Sequence, residues 1–157
     1  MQGRTLGREE FYNRILNLIL NLLDAKVLGV IVFGSRVYMG EGNDIDLLVI
    51  LDDELKLKEK IRLEAFIASK LRRTFKGATF DVHVFDVQGF QENLVPGSFL
   101  SGLALGYQVL YERGGVEEKI INFLKNLSKE KYTLHNKYGT WNLGFHALIL
   151  LKRKGFQ

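Results

Sequence analysis

Phe33-Gly34-Ser35-Arg36-Val37-Tyr38-Met39-Gly40-Glu41-Gly42-Asn43-Asp44-Ile45-Asp46-Leu47-Leu48-Val49-Ile50 is the stretch whose reading decides the fold. An apolar, β-branched run, Val27 to Phe33, leads into it, and a second, Ile45 to Leu51, leads out. Both predict strands, so a glycine-serine turn and a pair of carboxylates stand at neighbouring strand ends. Side chains alternate along a strand, which puts Asp44 and Asp46 on one face with Cα atoms roughly 6.6 Å apart. Two like charges on one face raise each other's pKa unless a cation sits between them. Hard oxygen ligands of this kind suit Mg²⁺ or Mn²⁺, held by one or two carboxylates together with substrate phosphates. Gly34-Ser35 supplies the complement, because a glycine after a buried strand lets backbone approach a ligand and the next turn offers N–H groups and a hydroxyl to an anion.

A third strand is predicted over Ala78 to Phe85, where Phe80, Val82 and Val84 alternate with Asp81, His83 and Phe85. It brings a third carboxylate, Asp81. Alone, Asp81 reads as a surface residue of a half-polar strand, and its weight comes from the strand beside it. Asp44 alone is also a turn residue at the loop-to-strand step. Arg36 and His83 read as structural before catalytic.

Around this centre the sequence predicts an amphipathic helix over 9–24, with Phe11, Ile15, Leu18, Ile19, Leu22 and Leu23 on its apolar side. Ser35 to Met39 is a short helix or turn, followed by a loop at Gly40, Gly42 and Asn43. Asp52-Asp53 precedes an N-capped helix over 54–75, with Leu57, Ile61, Phe66, Ile67 and Leu71 as its buried stripe. Its many lysines and arginines read as a solvated face rather than a nucleic-acid surface. Gln88 to Leu94 is a short helix, Ser98 caps a second over 98–105, and Tyr107 to Tyr111 is a fourth strand. Gly114-Gly115 opens a C-terminal extension that begins with a helix over 116–127. Apolar residues between Tyr132 and Leu151 predict packing without fixing an architecture.

The chain of 157 residues has the length of one domain with an extension, and 46% hydrophobic with 25% charged residues is ordinary for a globular protein. The absence of cysteine removes disulfides, thiolate nucleophiles and cysteine-zinc sites, and three scattered histidines argue against zinc. A net charge of +4 favours polyanionic ligands mildly and does not make a nucleic-acid binder. No apolar run has membrane-spanning length and no signal-peptide pattern opens the chain, so the expectation is a cytoplasmic protein.

Gly34-Ser35 after a strand, Asp44-Ile45-Asp46-Leu47 opening the next and Asp81 inside a third resemble the minimal nucleotidyltransferases of the DNA polymerase β superfamily. Gln108 to Glu112 resembles the closing strand of its small stand-alone members. The resemblance implies an α/β (α+β) fold, a mixed sheet of about four to five strands with helices packed on one side. It implies a nucleotidyltransferase domain over 1–113 and a helical extension over 114–157, packed on that domain or on a partner. It also implies a Mg²⁺- or Mn²⁺-dependent transferase of the EC 2.7.7 type that moves a nucleoside monophosphate, AMP from ATP foremost, onto a hydroxyl of a protein or small molecule. Asp44, Asp46 and Asp81 would bind two metal ions, Asp81 would also help deprotonate the attacking hydroxyl, and Gly34, Ser35 and Arg36 would hold the nucleotide's phosphates. The stretch Arg36 to Asn43 is shorter than the usual spacer, Asn43 stands where serine is common, and Tyr38-Met39 replaces the usual arginine, which leaves Arg36 as the nearest cation.

Many stand-alone members are encoded beside a small all-helical protein, with which they form a toxin–antitoxin pair. An antitoxin-like binding module that neutralises such a partner is therefore the alternative to an enzyme, and the clustered carboxylates favour the enzyme. An RNA-end transferase is a third reading, for which the chain leaves little room for RNA-gripping domains. Self-association stays open.

Overall fold

The computed structural model describes residues 7–40, 42 and 44–156. The reading of Asn43 falls outside the described residues. The elements run α1 (Arg8–Leu23), β1 (Val27–Phe33), α2 (Ser35–Tyr38), β2 (Asp44–Leu51), α3 (Leu57–Thr74), β3 (Thr79–Asp86), α4 (Val87–Glu92), a 3-10 segment (Phe99–Leu105), β4 (Tyr107–Glu112), α5 (Val116–Leu127), β5 (Thr133–Asn136), β6 (Gly139–Asn142) and α6 (Leu143–Arg153). Four strands form one mixed sheet in the order β3-β2-β1-β4, and β5 with β6 form a separate hairpin. β1 is antiparallel to β2 and β4, whereas β2 and β3 are parallel and joined through α3. Among the described residues no helix is long and apolar enough to cross a membrane.

The central strands are apolar on both faces because both faces are covered. Val30, Val32, Leu47, Val49, Val82 and Val84 face Tyr12, Ile15 and Ile19 of α1 and Ile67 and Leu71 of α3. Their alternates, Ile31, Phe33, Leu48 and Ile50, pack against Phe90, Leu100, Ile120, Leu124, Leu143 and Leu151. The mixed four-stranded sheet is the one expected, but the placement of helices on one side is corrected: α4, α5, α6 and the 3-10 segment form a second layer. Period-two alternation hides this, since a strand buried on both faces reads as one continuous apolar run.

The extension is not helical throughout, since a hairpin interrupts it between α5 and α6. Its own elements are closely packed on one another. Leu143 N donates to Tyr132 O at 2.7 Å, and a Cβ added at Gly144 would lie 2.0 Å from Glu130 O.

The buried stripe expected on α3 also needs correction. Leu57, Ile61 and Phe66 are exposed, and burial falls on Ile67 and Leu71 near the helix C-terminus. α3 docks by its second half, while near its start Lys60 and Glu64 reach the sheet edge. Lys60 Nζ donates to Val84 O at 2.6 Å and Val84 N donates to Glu64 Oε2 at 2.9 Å, with the two side chains paired at 2.8 Å.

The expected aspartate cap of α3 is absent. Lys56 occupies the N-cap without a side-chain bond, and Asp53 instead pairs with Lys26 at 2.8 Å. Asp86 serves two segments, accepting from Leu55 N at 2.9 Å and capping α4 through Gly89 N at 2.7 Å. Nor does Ser98 cap the segment after it. Its hydroxyl donates to Asn93 O instead.

Candidate active site

The end of β1 and the start of β2 lie side by side, with Phe33 paired to Asp46. The chain leaves β1 at Gly34 with φ 84°, a region that L side chains rarely adopt. A Cβ at this position would fall 2.0 Å from Asp46 Oδ2, so glycine is required twice, by torsion and by the carboxylate pressed against its backbone. Gly34 O accepts from Val37 N at 2.9 Å, which closes the turn into α2.

Asp46 and Asp81 are register partners across the parallel β2–β3 pair. His83, two residues further along β3, projects from the same face. Asp46, Asp81 and His83 each offer a ligand atom, and these atoms lie within 4.8 Å of one another. Burial, followed by the charges of Asp81 and Asp44 and a hydrogen bond with Asp81, pushes the Asp46 carboxyl up from 3.8 to about 6. His83 Nε2 lies 3.4 Å from Asp81 Oδ2. That contact lacks hydrogen-bond geometry, and the nitrogen is buried without a partner. Phe99 packs against the imidazole, with ring centroids 4.4 Å apart.

A half-buried carboxylate held near others and an orphaned buried nitrogen are the features that a divalent cation would relieve, so this donor set fits one. Asp44 stands apart from this trio. It is exposed at the start of β2, where its Oδ1 accepts from Thr79 Oγ1 at 2.6 Å. It nonetheless lines the same cleft as Asp46, a space of about 280 Å³ that also touches Gly34, Ser35, Tyr38 and Lys137.

Arg36 lies elsewhere. It lines a separate cavity of about 650 Å³ beside the ends of α1 and α3, with Arg8, Arg14, Lys76, Tyr12 and Phe75. Gly34, Ser35, Asp44 and Asp46 are thus gathered at one cleft and Asp81 adjoins it through Asp46, whereas Arg36, expected among them, lines the other cavity.

Three residues at the site carry no motif in the sequence. His83 would be found by counting two residues from Asp81 along a strand. Lys137 and Tyr138 line the cleft from the C-terminal hairpin, whose signal is the Asn136 and Gly139 pair enclosing a two-residue connection between short runs rich in Thr, Leu and Trp.

The family model described as polymerase beta, nucleotidyltransferase matches residues 16–94. Among solved structures the chain is similar to one in the complex of a tri-AMPylated Shewanella oneidensis HEPN toxin with MNT antitoxin, at 17% identity over 77% of this chain and 87% of that chain, with a TM-score of 0.50. It is likewise similar to one in a mutant MntA–HpeT toxin–antitoxin complex, at 20% identity over 80% of this chain and 89% of that chain, with a TM-score of 0.51. At such identities the likeness is one of fold. No curated protein matches the chain.

Proposed function

The chain belongs to the polymerase beta nucleotidyltransferase family, and on that premise we propose that it transfers AMP from ATP to a hydroxyl group presented by a protein or a small molecule. The observation that carries this reading is the pairing of Asp46 with Asp81 beside Gly34, in a cleft that Asp44 and Ser35 also line. Residue types that hold a divalent cation and residue types that receive phosphate meet there. Asp44, Asp46 and Asp81 are assigned to Mg²⁺ or Mn²⁺, with His83 as a further donor beside them. When bound, such ions supply charge neutralisation at the α-phosphate and at the departing pyrophosphate.

The protein's own groups then divide the work. Ser35 and the backbone of Gly34 hold the outer phosphates and keep the leaving group in line. Asp81, with 58% of its side chain exposed, stands where an acceptor can arrive, and it takes the hydroxyl proton as the new oxygen–phosphorus bond forms and the bond to the β-phosphate oxygen breaks. Placement of the acceptor oxygen about 3 to 3.5 Å from phosphorus, in line with pyrophosphate, supplies the remaining catalysis.

A protein hydroxyl is the acceptor favoured here, with the fold shared with a complex that contains an AMPylated toxin as its support. Tyrosine fits best, because its long rigid side chain crosses a gap that serine cannot. The binding-module alternative draws on Leu57 and Ile61, exposed apolar residues one turn apart on α3 that could meet a small helical partner. Incubation with labelled ATP, Mg²⁺ and the product of an adjacent gene, followed by mass spectrometry, should show AMP added to that product. Label on RNA ends or on a small hydroxylated metabolite instead would refute the protein acceptor and keep the transferase. Binding of the neighbour with no transfer to any acceptor would favour the module.

A further inference from the structure

The cleft holds two carboxylates, Asp44 and Asp46, and among the described residues that line it Lys137 alone carries a positive charge. Arg36 opens onto the other cavity. A nucleoside triphosphate brought against carboxylates adds like charge, and its outer phosphates need a donor beyond whatever the carboxylates hold. Lys137 forms no ion pair with a described residue, and its ammonium lies over the Tyr138 ring, 5.0 Å from the centre, a contact that leaves the charge without a counter-ion.

The hairpin tip that carries Lys137 is also fixed in place. Asn136 Oδ1 accepts from Tyr138 N at 2.9 Å and from Trp141 Nε1 at 3.1 Å. Asn136 Nδ2 donates to Tyr38 Oη at 3.1 Å, and Trp141 meets the Tyr38 ring edge-on at 5.4 Å. Tyr38 belongs to the helix that begins at Ser35, so the tip is fastened to the turn that would receive phosphate. An ammonium on a flexible stem, anchored at its base, suits a phosphate whose position shifts as pyrophosphate departs.

We propose that Lys137 joins Gly34 and Ser35 in binding the outer phosphates of the nucleotide, as the cation that the C-terminal hairpin supplies to a cleft onto which Arg36 does not open. The inference rests on the nucleotidyl-transfer reading and adds to it a substrate-binding residue that lies outside the part of the chain matched to the family. Because Lys137 is exposed, its replacement should not disturb folding.

The test is titration calorimetry of the full chain in Mg²⁺ with a non-hydrolysable ATP analogue and with AMP. Lys137→Ala should weaken the triphosphate by about tenfold, the scale of one lost charged hydrogen bond, and should leave AMP within twofold. Lys137→Arg should recover part of the loss, and Lys137→Glu should deepen it. Triphosphate affinity unchanged in Lys137→Ala overturns the inference, as does a loss carried by Arg36→Ala instead. An equal loss for AMP and the analogue with a lower Tm shows that the hairpin is only structural, and this too overturns it. A wild-type chain that binds no nucleoside triphosphate sinks the nucleotidyl-transfer reading itself, whereas one that binds it with Lys137 indifferent sinks the inference alone.

Discussion

Ser35 and Arg36 are neighbours in sequence, yet they open onto spaces of opposite character. Ser35 lines the cleft shared by Asp44, Asp46 and Lys137, while Arg36 lines a cavity with Arg8, Arg14 and Lys76 and, among the described residues, no carboxylate. The sequence assigns both to the nucleotide's phosphates, and the fold places them on different spaces. The lesson is that one peptide step at a helix start separates two surfaces, and that the overall charge of +4 describes neither of them. Anionic groups are collected where cations can be bound, and fixed cations stand mostly apart from them.

The sharpest way to break this contrast is to neutralise one side at a time. Asp46→Asn should lower nucleotidyl transfer at least about a thousandfold, because it removes a ligand charge where the transferring phosphate is neutralised. Arg36→Ala should leave transfer within severalfold. Label incorporation from ATP reads both, and comparable losses would erase the distinction between cleft and cavity.

A smaller effect tests whether loosening the packing within the C-terminal half is felt by the sheet against which α5 and α6 pack. Gly144→Ala places a methyl group against Glu130 O and should destabilise the protein by about 2 kcal/mol, as overpacking does. Denaturant unfolding should remain a single transition. If a second transition separates from the first, α5, α6 and the hairpin form a layer of their own.

The narrowest effect is a pH dependence confined to the cleft. In the metal-free protein Asp46 holds its proton up to about 6, above its ordinary 3.8, so the folded state binds that proton more tightly than the unfolded state. The contribution to stability is therefore fully present below about pH 4 and is lost as pH rises through 6. The difference in Tm between wild type and Asp46→Asn, followed from pH 4 to about 7 in chelator, should move in favour of the variant as pH rises. A constant difference would mean that Asp46 has ordinary acidity.

The strand pattern of this chain was readable because each strand is a local run. β1 falls on Val27–Phe33 as expected, and β2, β3 and β4 lie within a residue of their expected ends. Gly34, Asp46 and Asp81 were readable for the same reason, since torsion and alternation act over two or three residues. The buried half of α3 was not, because which turns of a helix touch the sheet is set by the crossing of helix and strand, and Leu57 and Ile67 look equally apolar in sequence. The hairpin was obscured by its short strands and by the aromatic residues around it, which suit a helix or a strand alike. Lys137 reaches the cleft only through tertiary contacts, between Asn136 and Tyr38 and between Trp141 and Tyr38. No spacing rule connects position 38 with position 136.

The outer edge of β3 carries a further consequence. At Val84 both the amide and the carbonyl that would reach a new strand are already taken, by Glu64 and Lys60. An extended peptide therefore cannot zip onto that margin through residue 84 without first evicting a paired lysine and glutamate. For a visiting protein, a strand added along β3 is thus obstructed at residue 84, at the end of the edge away from Asp81.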